Sequence, residues 1–79
     1  MTTIKRIGNT AATEIGTSRA TILVSYNTPV AAFILGRGYV RTSQYYSVTT
    51  SKHINQWLKS KNAIDKCEIV PQAELDGLL

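Results

Sequence analysis

Residues 20–48 read ATILVSYNTPVAAFILGRGYVRTSQYYSV, and the reading of this stretch decides the fold. Ala20 to Tyr26 is apolar and rich in β-branched residues, the composition of a strand. Asn27-Thr28-Pro29 breaks it. Pro29 lacks an N–H and so belongs before or at the start of the next strand. Val30 to Leu35 has too little polarity to alternate, which predicts a central strand covered on both faces. Gly36-Arg37-Gly38 is a short loop with two flexible positions. Tyr39 to Val48 predicts a long third strand. On it Tyr39, Arg41, Ser43 and Tyr45 share one face, and Val40, Thr42, Gln44 and Tyr46 the other.

Toward the N-terminus the pattern is the same but weaker. Thr3 to Ile7 predicts a short strand, Gly8-Asn9 a two-residue hairpin turn, and Thr10 to Ile15 a returning strand. Gly16-Thr17-Ser18-Arg19 is the next turn. Toward the C-terminus the period changes. Thr49, Thr50 and Ser51 are candidate N-caps. Ile54, Trp57 and Leu58 follow at helical spacing, with Lys52, Gln56 and Lys59 on solvated positions. A helix over about Ser51 to Ser60 is expected, anchored by Trp57. Cys67 to Val70 predicts a short edge strand. Pro71, Leu75, Leu78 and Leu79 predict a brief last helix that forms only when its leucines dock.

The expected architecture is α+β: an antiparallel meander of four to five strands, one amphipathic helix packed on it, and a short C-terminal helix. The chain of 79 residues is one domain, since a second does not fit this length. Hydrophobic residues at 43% against charged residues at 18% exclude intrinsic disorder. The longest apolar run, Val30 to Leu35, is far short of a membrane span. No leader segment is expected, because residues 2–8 hold no apolar core.

The rare residues narrow the chemistry. There is one Cys, Cys67, and one His, His53, so neither an intramolecular disulfide nor a structural zinc site is expected. Cys67 is expected as a small core residue in a reducing cytoplasm. No nucleophile-elbow, phosphate-loop or zinc-protease motif occurs. Cys67 with His53 lacks a third, orienting group. The expectation is therefore a protein that is not an enzyme and carries no cofactor. A small nuclease or a ligand-binding enzyme would have to use His53 and Tyr46.

Charge divides the chain. Residues 1–61 carry eight Lys or Arg against Glu14 alone, a charge of +7. Residues 62–79 carry Lys66 against Asp65, Glu68, Glu74 and Asp76, a charge of −3. An acidic segment beside a basic body can shield it or support self-association. Tyr and Arg are typical anchors of protein interfaces. Arg37, Tyr39, Arg41, Tyr45 and Lys52 are the candidate partner-binding residues. Thr49, Thr50, Ser51, Lys52 and His53 form a candidate anion site, because a helix N-terminus offers free N–H groups beside a cation. Ordinary capping accounts for the same residues. A homodimer through a sheet edge or the Leu75/Leu78/Leu79 face would supplement a small core.

Ser25 to Ala31 (SYNTPVA), Arg41-Thr42, Tyr46 to Asn55 (YSVTTSKHIN) and Trp57-Leu58 carry a resemblance. In their order and spacing they are similar to a group of short uncharacterised proteins of phages, archaeal viruses and mobile elements, over residues 21–58. The resemblance implies a genomic setting rather than a mechanism. In that setting small proteins without catalytic residues often bind host machinery, anti-CRISPR proteins being one example. The leading expectation is thus a non-catalytic cytoplasmic binder of a host protein complex, a CRISPR effector among the candidate targets. The alternative is a nucleic-acid-binding accessory protein using the basic sheet face.

Overall fold

The computed structural model describes residues 3–6 and 12–78. Its fold is α+β, as expected. Six strands form one sheet in sequence order: β1 (Thr3–Arg6), β2 (Ala12–Gly16), β3 (Ala20–Ser25), β4 (Thr28–Ile34), β5 (Gly38–Thr42) and β6 (Glu68–Val70). β1 to β5 are an antiparallel meander. β6 pairs parallel to β5, which extends the expected four or five strands by one. A parallel neighbour needs a long crossover, and helix α1 (Val48–Ser60) supplies it. The second helix, α2 (Gln72–Asp76), ends the described fold. The predicted Gly8-Asn9 turn and Leu79 lie outside the described residues.

The two helices belong to opposite faces of the sheet. On one face Ile54, Trp57 and Leu58 of α1, with Ala63 just after it, pack on Ala12, Leu23, Val30 and Ala31. On the other face Ala20, Ile22, Val24, Ala32, Val40 and Val70 pack with Leu75 of α2. Alternation along β3 and β4 sends neighbours to opposite clusters, so both central strands are covered twice, as the apolar run from Val30 implies. The register shifts at Leu23/Val24, where Val24 faces Pro29 and Leu23 faces Ala31. Val30 is the extra residue of this bulge, and both Val30 and Ala31 reach the α1 cluster. Pro29 stands within β4, beyond the start of its pairing with β5 at Ala31. Only β3 borders it there, so its missing N–H costs the sheet little.

The third strand is shorter than the sequence implies. β5 ends at Thr42, and Ser47, not Thr49 to Ser51, caps α1. Ser47 is extended and its Oγ accepts a bond from the Thr50 N–H at 3.1 Å. Residues 43–47 therefore form a loop, and Tyr45 and Tyr46 are not paired across a strand. The helix ends on Asn62, at φ 56, with Asn62 N–H bonded to Lys59 O and Ala63 N–H to Leu58 O. This is the paired closing motif of a left-handed terminus, and buried Ala63 supplies its apolar contact with Leu58. At the end of the sheet away from the 43–47 loop, Gly36 (φ 85) and Gly38 (φ 103) carry the β4–β5 loop. A Cβ at either would meet nothing within 4 Å, so conformation rather than space requires glycine.

No helix of the described residues is long and apolar enough to cross a membrane.

Candidate docking surface

Aromatic and polar contacts lock α1 to the sheet. Phe33 and Tyr39 are cross-strand partners with ring centroids 4.8 Å apart, and Tyr39 meets Trp57 edge-on at 5.8 Å. Trp57 Nε1 donates to Glu14 Oε1 at 2.8 Å, and Lys61 Nζ stands 3.3 Å from the same oxygen. Trp57 is the anchor its spacing predicts, and Glu14 on β2 satisfies its N–H.

A buried polar chain fastens the other half of α1. Ser25 Oγ lies 3.1 Å from Thr50 Oγ1 and 2.9 Å from His53 Nδ1, hydrogen-bonded to both. Ser47 Oγ donates to Thr50 Oγ1 at 3.2 Å. Passing each hydroxyl proton along the chain, Ser47 to Thr50 to Ser25 to His53, uses every donor and leaves Nδ1 as an acceptor. Ser25 and His53 have the separation of a nucleophile–base pair. Yet Ser25 is only 2% exposed and its oxygen is already engaged twice. The chain joins the SYNTPVA and YSVTTSKHIN stretches, through Ser25 and His53 28 residues apart, into one staple.

The candidate anion site is thereby taken apart. With Ser47 as the cap, Thr49 and Thr50 fall in the first turn, where Ser47 Oγ already takes the Thr50 N–H, and Ser51 to His53 lie beyond it. Thr50 and His53 turn inward and are buried, Ser51 is half-buried, and Thr49 and Lys52 face solvent. The structure does not bring these five residues together around one point.

The five candidate partner-binding residues also separate. Arg37 Nη2 is 2.6 Å from Glu68 Oε2 and 3.1 Å from Glu74 Oε2. Its hydrogen bond to Glu68 holds its guanidinium above the ordinary range; desolvation opposes this, and the charges of Glu68 and Glu74 add to the rise. Arg37 is thus the point where the acidic segment shields the basic body. Tyr39 is half-buried in the aromatic stack. Arg41, Tyr45 and Lys52 remain outward, and Arg41 Nη1 donates to Asn55 Oδ1 of α1 at 3.4 Å.

β3 and β5 both run antiparallel to β4, so the β3–β4 turn and the 43–47 loop emerge at one end of the sheet. That end gathers exposed large side chains: Tyr26 at 58%, Tyr45 at 68%, Tyr46 at 39% and Val48 at 62%. Tyr26 occupies the first position of a two-residue turn between Ser25 and Thr28, with φ 59. Favoured hairpin turns need a positive φ there, and a residue with a bulky Cβ is strained by it. Its ring stands 6.1 Å from that of His53, tilted 43°. A strained, exposed aromatic on a stapled support is the pattern of a functional position. Tyr26 belongs with Tyr39, Tyr45 and Tyr46 to the interface-type aromatics of the sequence, but Ser25 and the left-handed turn at Tyr26 are not among the candidates. The signal available was a tyrosine immediately before Asn27, where a turn prefers glycine or asparagine.

The leucine face proposed for self-association is used internally: Leu75 is fully buried and Leu78 half-buried against the same cluster. A cleft beside it, lined by Ile34, Val40, Leu75 and Leu78, is bordered by Arg37 and Glu74, already paired with each other. Among the described residues, no cluster of His, Cys, Asp and Glu stands ready for a metal. Cys67 is half-buried against the α1 cluster.

No curated protein and no solved structure matches the chain. Residues 2–77 match the family of unknown function DUF8033, and the chain belongs to that family.

Proposed function

We propose that this protein is a non-catalytic binding module that acts by occupying a surface of a partner protein. The observation that carries this reading is the tyrosine-bearing end: Tyr26, Tyr45, Tyr46 and Val48 are exposed together, beside the Ser25–Thr50–His53 staple. Exposed tyrosines on a rigid support lose little side-chain entropy on docking and desolvate well. The resemblance to phage and mobile-element proteins points to a host protein complex in the cytoplasm as the partner, with a CRISPR effector the first class to test. Pairing of copies through the outer edges of β1 or β6 would be compatible with that role.

A nucleic-acid accessory role is the second reading. It is favoured by α1, which holds Lys52 and Lys59 and no acidic residue.

Affinity capture from host lysate, with and without nuclease, separates the two. The first reading expects a stoichiometric protein partner that survives nuclease. It also expects that partner to be lost on combining Tyr45→Ala with Tyr46→Ala, with the circular dichroism spectrum unchanged. Capture that disappears with nuclease would replace it by the second reading.

A further inference from the structure

We infer that the partner presents an acidic polypeptide segment with apolar anchors, and that this segment lies across the exposed side of α1 and the adjoining β5–β6 strands. The inference rests on the binding reading above and specifies the chemistry of the partner.

Lys52, Asn55 and Lys59 recur at helical spacing and form one stripe on α1, with Val48 leading into it from the tyrosine end. The lysines are separated by about 10 Å along the axis. Arg41 joins the stripe through Asn55. Arg41 pairs with Ile69 across the parallel β5–β6 ladder, so the two side chains share a face, and Ile69 is 66% exposed.

The acids of the protein are mostly engaged elsewhere. Glu14 holds Trp57 and Lys61, Glu68 and Glu74 hold Arg37, and Asp76 accepts from Gln72. Glu68 aligns with Val40, whose side chain joins the α2-side cluster, so this carboxylate faces away from Arg41 and Ile69. Among the described residues, Arg41, Lys52 and Lys59 form no ion pair. The patch therefore offers three cations without an ion pair, of which Arg41 stands beside the exposed Ile69. Charge complementarity calls for a partner that is acidic, and Ile69 calls for one that also buries an apolar group. A phosphate chain satisfies the first demand and not the second. The exposed tyrosines that could stack bases stand at the end of the sheet instead of alternating with the cations.

The test uses the full chain and three probes in a fluorescence anisotropy titration. They are a short peptide alternating glutamate with leucine, polyglutamate of equal charge, and oligothymidine. The alternating peptide should bind tightest. Combining Lys52→Glu with Lys59→Glu should weaken it by about tenfold, with an unchanged thermal midpoint. Ile69→Ser should bring it to the level of polyglutamate. Oligothymidine binding as tightly as the alternating peptide, or no preference for that peptide over polyglutamate, would overturn the inference. Lysate capture keeps the two proposals apart. A partner retained by the double glutamate variant but lost by the Tyr45/Tyr46 variant overturns the inference and leaves the binding reading standing. A wild-type protein that captures no protein overturns the reading itself.

Discussion

The two faces of the sheet are secured by different physics. The α1 face carries a 13-residue helix, capped at both ends, and combines aliphatic packing with an aromatic stack and a buried polar chain. The α2 face carries a five-residue helix with no side-chain cap, over a cluster of Ala, Ile, Val and Leu alone. A helix of that length has no stability of its own. It stays because Leu75 is buried, Gln72 Nε2 donates to Pro29 O at 2.7 Å, and Arg37 reaches Glu74. Directional contacts on one face fix geometry, while aliphatic burial on the other mainly supplies cohesion. The proposed docking residues stand on the directional side, where a surface can be held in one shape.

That contrast can be broken most directly at its anchors. Trp57→Ala should cost about 3–5 kcal/mol in urea denaturation, since it empties the α1 face and removes the hydrogen bond to Glu14. Leu75→Ala should cost about 2–4 kcal/mol, because α2 can settle partly into the space. It should also raise amide exchange in β6 while leaving α1 protected. Equal loss of protection in both helices would show that the faces are not separate cohesive units.

Smaller changes sharpen the comparison. Ser25→Ala should cost about 1–3 kcal/mol, because Thr50 and His53 both lose a buried partner. A cost near zero would mean that the polar chain does not hold α1. Tyr26→Asn should raise stability by about 0.5–1 kcal/mol, since asparagine tolerates the left-handed backbone, while weakening partner capture. A Tyr26→Asn variant with lower stability would assign Tyr26 a packing role instead. Arg37→Gln should have the smallest effect, a slight fall in thermal midpoint that added salt reproduces in the wild-type protein.

Much of the sheet was legible because strand signals are local. β3 and β4 are apparent from β-branched runs between turn residues, and of the run Val30 to Leu35 all but Leu35 lies in the doubly covered strand; Leu35 falls past its end and is exposed. The helix face of Ile54, Trp57 and Leu58 was equally plain from its spacing. The boundary between β5 and α1 was misplaced, because Ser47, Thr49, Thr50 and Ser51 are all good caps by composition. What selected Ser47 is tertiary: Thr50 is needed inside, bonded to Ser25. Of the docking surface, Arg41, Tyr45 and Lys52 were legible as exposed-type residues on basic or aromatic stretches. Lys59 and Ile69 were not, nor was the buried support that Ser25 gives to Tyr26.

The sequence by itself determined the class of fold, the order of its elements and the separation of a basic body from an acidic segment. Those properties follow from periodicity and composition, which are read within a few residues. Only the tertiary structure decided which charges cancel and which stay free. Arg37 and Glu68 meet across 31 positions, and Ser25 and His53 across 28. Pairings at such separation depend on register and on which face a strand presents, and a one-residue slip would reverse every one of them.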